Sequence, residues 1–133
     1  MAIILDADVV IRGEKGTFEL RRWLESLEDE QVEFAAVTVA ELWQGVERAS
    51  GEQKAKRQQY LQTILALLPV IPYTEQTAYQ HARIWAELES SGRMIGYYDI
   101  IVGATALERG SKVATFNTRH FAQIEGLSVV TPV

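Results

Sequence analysis

Short apolar runs alternate with longer stretches of helical periodicity along the whole chain. Ala2-Ile3-Ile4-Leu5 reads as a short buried strand that ends at Asp6. Phe18, Leu20, Trp23, Leu24 and Leu27 then fall at helical spacing. Phe34 to Val37 is a second strand candidate, and the pattern predicts a helix from about Thr38 to Ala49 with Leu42, Val46 and Ala49 on one face. Glu52 to Leu68 is helical, with Tyr60, Leu61, Ile64, Leu65 and Leu68 directed inward. Val70-Ile71-Pro72 is a short strand. Thr74 as cap and Gly92 as stop delimit a helix carrying Ala78, Ala82, Trp85 and Leu88. Residues 99–109 are apolar on nearly all sides, as in a helix buried at a domain centre. Val113 to Phe116 and Leu127 to Val130 supply the last two strands.

Strands alternating with helices predict an α/β fold, a three-layer α/β/α sandwich around a mainly parallel sheet of about five strands. No repeat, low-complexity tract or linker interrupts the pattern, so residues 1–133 are expected to form one domain. Sheets of this kind bind ligands outside the carboxyl ends of their strands. Asp6 follows the first strand, Thr38 and Glu41 the second, and Asn117 the fourth. Asp99 opens the buried helix that leads into the fourth.

Composition narrows the classes. The chain has no cysteine, which excludes a disulfide framework and a thiolate metal site. No apolar stretch approaches a membrane span and the N-terminus lacks a signal-peptide pattern, so the expected location is cytoplasmic, with no membrane partner. A net charge of −5 argues against a passive nucleic-acid coat, although clustered metal-binding acids would lower the charge by themselves.

Three acids stand beside apolar runs, where a carboxylate is costly to desolvate without a partner. Asp6 has a simple alternative as the cap of a helix beginning at Ala7. Thr38-x-x-Glu41 has the spacing of a capping box, a role compatible with one in chemistry. Asp99 in the first turn gains ~0.3–1 kcal/mol from the helix dipole, too little to offset burial, so Arg93 or a bound cation is expected beside it. An all-oxygen set of this kind suits Mg²⁺ or Mn²⁺, ions that also bind phosphates. Asp6 and Asp99 are the expected direct ligands, with Glu41 acting through water or on the nucleophile. Trp23, Trp43 and Trp85 read as core, and His81 as a packed or surface residue. Tyr97 and Tyr98 suit either packing or stacking on unpaired bases.

Four stretches carry a family likeness: Leu5-Asp6-Ala7-Asp8, Thr38-Val39-Ala40-Glu41-Leu42, Gly96-Tyr97-Tyr98-Asp99-Ile100-Ile101-Val102-Gly103-Ala104 and Thr115-Phe116-Asn117-Thr118-Arg119-His120-Phe121. Through them the chain resembles, over its full length, the PIN-domain ribonucleases and in particular the VapC-type toxins of toxin–antitoxin pairs. The resemblance implies a Mg²⁺- or Mn²⁺-dependent endoribonuclease with one acidic pocket, in which Asp6, Glu41 and Asp99 are catalytic. It also implies a homodimer, an RNA substrate such as tRNA, and a cognate antitoxin that blocks the pocket. Asp8, Thr38, Asn117 and His120 are the expected supporting groups, and Arg12, Arg93 and Arg119 the expected contacts to RNA.

Two positions depart from that family's pattern. Asp8 stands where Asn is usual, and His120 stands where many members carry a fourth acid. Asp8 is expected to compensate in part. His120 is either a Mn²⁺ or phosphate contact or a partly exposed helix residue without special role. The main alternative is a catalytically weak PIN-like domain that binds RNA or a partner. A phosphoryl-accepting receiver domain is excluded, since Pro72-Tyr73-Thr74 follows the third strand and no lysine follows the last. Gly110-Ser111-Lys112 lacks the glycine spacing of a phosphate-binding loop.

Overall fold

Side chains alternate across the first strand, and that alternation builds both sides of the molecule. The structure, a computed structural model, describes residues 2–133. In chain order it runs β1 (Ala2–Leu5), α1 (Ala7–Lys15), α2 (Leu20–Ser26), β2 (Gln31–Ala35), α3 (Ala36–Arg48), α4 (Gly51–Leu67), β3 (Val70–Ile71), α5 (Glu75–Ser91), α6 (Tyr97–Arg109), β4 (Lys112–Ala114), α7 (Thr118–Phe121) and β5 (Val129–Val130). Ile3 and Leu5 of β1 join Val9, Val10, Phe34, Leu42, Val46, Leu61 and Ile64 in one buried cluster. Ile4 faces the other way and joins Val113, Ile84, Leu88, Ile100 and Val102. The two-residue period of a strand thus feeds two cores, and the sheet lies between two helical layers.

Every strand pair is parallel, in the order β3-β2-β1-β4-β5. The first two crossovers step outward from β1 to β2 to β3. The connection through α5 and α6 then returns across the sheet to place β4 on the far side of β1, pairing Ile4 with Val113. Right-handed crossovers in opposite directions put their helices on opposite faces. The strand order therefore reverses between β1 and β4, the crevice in which open parallel sheets bind ligands.

Local signals end most elements where the pattern predicts. The Thr74 hydroxyl accepts from the Thr77 N–H at 3.4 Å, while the Thr77 hydroxyl accepts from the Thr74 N–H at 3.1 Å. Gly92 closes α5 at φ +68°, a left-handed backbone that only glycine adopts freely, with its N–H turned back to Leu88 and Glu89.

Three expectations are corrected. β2 lies three residues earlier at its start than Phe34, because it includes Glu33, which is 1% exposed. The Arg109 guanidinium at the end of α6 grips that carboxylate with two bonds of 2.8 and 3.1 Å, so a charge inside a strand is matched from 76 residues away. Second, α3 starts at Ala36 directly from the strand, with Ala35 as its cap. Thr38 is therefore the third helical residue and fully buried, and the capping box with Glu41 does not form. Third, α5 buries Thr77, His81, Ile84 and Leu88 rather than Ala78, Ala82 and Trp85. The face is turned by one residue, and Trp85 is 39% exposed. Trp23 is buried and Trp43 partly so.

Candidate active site

Asp6 is the first residue past β1, and its backbone N–H bonds to the Ala114 carbonyl on β4 at 3.0 Å. The side chain does cap α1: Oδ1 accepts from the Ala7 N–H at 2.9 Å. Its other oxygen accepts a 2.7 Å bond from the Thr115 hydroxyl, just past β4. The cap therefore leaves one oxygen aimed across the crevice between β1 and β4. Thr115 is fully buried and also accepts from the Asn117 N–H at 2.9 Å. The sequence pattern does not mark it as a site residue. Its only signal there was its place at the head of the Thr115–Phe121 stretch, directly after an apolar run.

Asp8, two residues on, accepts from the Phe116 N–H at 3.1 Å and lies 3.4 Å from the Thr115 hydroxyl. Asp99 occupies the third position of α6 and Glu41 the second turn of α3. The fold brings all four acids within electrostatic reach. Asp6 is pushed up to about 8, first by burial and then by Asp8, with Asp99 and Glu41 adding to it against the Thr115 bond. Burial also raises Asp8, and it raises Glu41 with help from Asp99 and Asp8. Glu33, buried in β2, lies outside this cluster and is paired with Arg109.

The cations do not match this cluster. Arg12 stacks over the Phe116 ring at 4.3 Å and draws Asp8 down, so it stands at the margin of the site. Arg93, expected beside Asp99, bonds the Ser91 hydroxyl at 3.2 Å instead. Arg119 lies exposed on α7 beside the site residue His120. The neighbour of Asp99 is His120, whose Nδ1 is 3.1 Å from Asp99 Oδ2 and 2.8 Å from the Asn117 amide nitrogen. The residue standing where a fourth acid is usual thus touches the third.

Two buried oxygens, Glu41 Oε1 and Thr38 Oγ1, have no hydrogen-bond partner. They sit three residues apart on α3, and Glu41 lies within electrostatic reach of Asp99 and Asp8. An all-oxygen donor set with excess negative charge and unpartnered oxygens fits a hard divalent cation. As the side chains stand, no three acid or histidine groups among the described residues close into a ligand cage. A hollow of about 420 Å³ opens at the cluster, lined by Glu41, Gly96, Tyr97, Tyr98 and Asp99. A groove of about 590 Å³ between α1, α2 and α4 holds none of the four acids.

Among known proteins, the family profile of the PIN domain matches residues 3–127. Ribonuclease VapC1 of Rickettsia felis is 29% identical over 98% of this chain and 96% of its own. A tRNA(fMet)-specific endonuclease VapC of Salmonella typhimurium is 27% identical over 97% and 96%. The crystal structure of DNA-bound VapBC from Salmonella typhimurium superposes with a TM-score of 0.89 at 26% identity, covering 98% of both chains.

Proposed function

The chain belongs to the PIN-domain family and aligns end to end with VapC ribonucleases, and on that premise we propose that it is a divalent-metal-dependent endoribonuclease toxin restrained by a cognate antitoxin. The observation that carries the reading is the buried Asp6 carboxylate, held at the β1–β4 crevice with Asp8, Glu41 and Asp99 close enough to push it up to about 8. Three carboxylates gathered around a buried fourth raise the cost of ionising it, which a bound divalent cation would offset.

Asp6 and Asp99 would hold Mg²⁺ or Mn²⁺, with Glu41 reaching it directly or through water. The ion would supply charge neutralisation for the scissile phosphate and lower the pKa of a bound water. Glu41, raised by burial and ending in an unpartnered oxygen, would take a proton from the attacking water. Thr115 fixes the angle of Asp6 and the turn at Asn117. Hydrolysis forms a new P–O bond from water and breaks the bond to the leaving ribose oxygen, which collects a proton. Arg12, Arg93 and Arg119 are the proposed backbone contacts, and the charge of Arg12 reaches Asp8. The tRNA specificity of the Salmonella relative makes tRNA the first substrate to try.

Purified protein is incubated with total tRNA in Mg²⁺, Mn²⁺ or EDTA, and new RNA ends are mapped. Cleavage in either metal, its loss in EDTA, and a fall of roughly a hundredfold or more in Asp99→Asn are expected. Metal-independent cleavage would overturn the metal reading. Tight RNA binding with no cleavage by the parent protein would favour the weak, binding-only alternative, for which the histidine at position 120 is the supporting observation.

A further inference from the structure

The aromatic side chains of α5 and α6 are distributed in an unusual way. Tyr97, the first residue of α6, is 55% exposed, yet its ring is braced from two sides. It meets Trp85 at 5.5 Å and 90°, and His81 at 5.4 Å and 81°. His81 in turn stacks on Trp85 at 5.5 Å and 15°, and its Nδ1 bonds the Tyr73 hydroxyl at 2.8 Å. Burial draws His81 down and so disfavours charge on the ring behind Tyr97. A tyrosine held by perpendicular neighbours loses little further freedom on stacking. It is organised before any ligand arrives.

Its position decides what that ligand is. Tyr97 and Tyr98 line the same hollow as Glu41 and Asp99. A phosphate brought to those acids places an adjoining nucleotide against Tyr97. The bound ion of the proposed reading would hold the phosphate but not the base, which needs a contact of its own. Stacking is uncharged and accepts any base. A base inside a duplex has both faces covered by its neighbours, whereas an unpaired base offers one.

Building on the ribonuclease reading, we propose that Tyr97, backed by Trp85 and His81, is the platform on which one unpaired base next to the scissile phosphate stacks. The enzyme then selects loops or single strands over duplex at this point. Tyr97 acts as a substrate-positioning residue, and Trp85 as the support that sets its ring.

The metal-loaded full chain is assayed on a hairpin RNA with its cleavage site in the loop, alongside Tyr97→Ala and Tyr97→Phe. An abasic nucleotide is placed in turn on either side of the scissile phosphate. Tyr97→Ala is expected to raise KM roughly tenfold with kcat within about threefold, while Tyr97→Phe stays near the parent. The abasic substitution at one flanking position is expected to impair the parent similarly and to add nothing to Tyr97→Ala. An unchanged KM in Tyr97→Ala, or an abasic penalty equal in both proteins, overturns the platform and leaves the ribonuclease reading intact. A KM loss accompanied by a change in oligomeric state in light scattering also overturns it, in favour of a protein-facing surface. If the parent cuts no RNA at all, both readings fall together.

Discussion

Replacing Asp6 with asparagine should make the metal-free protein more stable while removing its activity. Asp6 is 5% exposed and titrates at about 8 in the fold against an ordinary 3.8. Between those values the native state holds a proton that the unfolded chain has lost. Stability contributed by this group is therefore fully present below about pH 4 and declines as pH rises towards 8. Roughly four pH units at 1.36 kcal/mol each set a ceiling of ~5–6 kcal/mol lost by pH 8. The effect should fall below that ceiling, because protonation of Asp8 or Glu41 relieves the same repulsion. In Asp6→Asn the amide oxygen still accepts from Ala7. The new NH₂ donates to the Thr115 hydroxyl, whose own proton turns towards Asp8 at 3.4 Å. The expected gain is ~2–4 kcal/mol near pH 8, vanishing near pH 4, after discounting the lost charge-assisted bonds. Urea unfolding in EDTA at several pH values between these limits measures it. The reasoning is refuted if the variant shows the parent's pH slope, or is the less stable protein at pH 8. On the proposed metal reading, saturating Mg²⁺ should stabilise the parent more than the variant, which lacks one of the two ligands.

Two further substitutions test the supports of the site and the sheet. Thr115→Val removes the hydroxyl that serves both Asp6 and Asn117. It should cost ~1–3 kcal/mol in thermal unfolding and lower kcat more than KM, and an unchanged kcat would exclude a positioning role. Arg109→Met leaves the Glu33 charge buried and unpaired and should cost ~3–5 kcal/mol by denaturant titration, most of it recovered when Glu33→Gln is added. Failure of the second change to restore stability would show that the loss is one of packing rather than charge.

The sequence by itself determined the order of the strands and of the long helices, the α/β class, and the positions at which acids stand beside apolar runs. Periodicity, Thr74 and Gly92 are local signals, and local signals survive without a partner strand. The same locality explains the misreadings. Glu33 hid the start of β2, since its countercharge lies 76 residues away on α6. Thr38 and Glu41 matched a capping box whose register depends on where β2 stops pairing with β3, and that is set by the Ala35–Ile71 contact. The face of α5 was off by one residue because Thr77 and His81 are polar yet buried, and only packing against α6 reveals it.

Tertiary structure alone decided which acids meet. Asp6 and Thr115 are 109 residues apart and share a 2.7 Å bond because β4 returns to the far side of β1. His120 could be read either as a contact or as an idle surface residue until α7 was seen to set it against Asp99. A chain can specify where a carboxylate sits along a strand, but its repulsion from three others arises only when the crossover closes. That repulsion, which no local motif reveals, is what the proposal of a bound cation rests on.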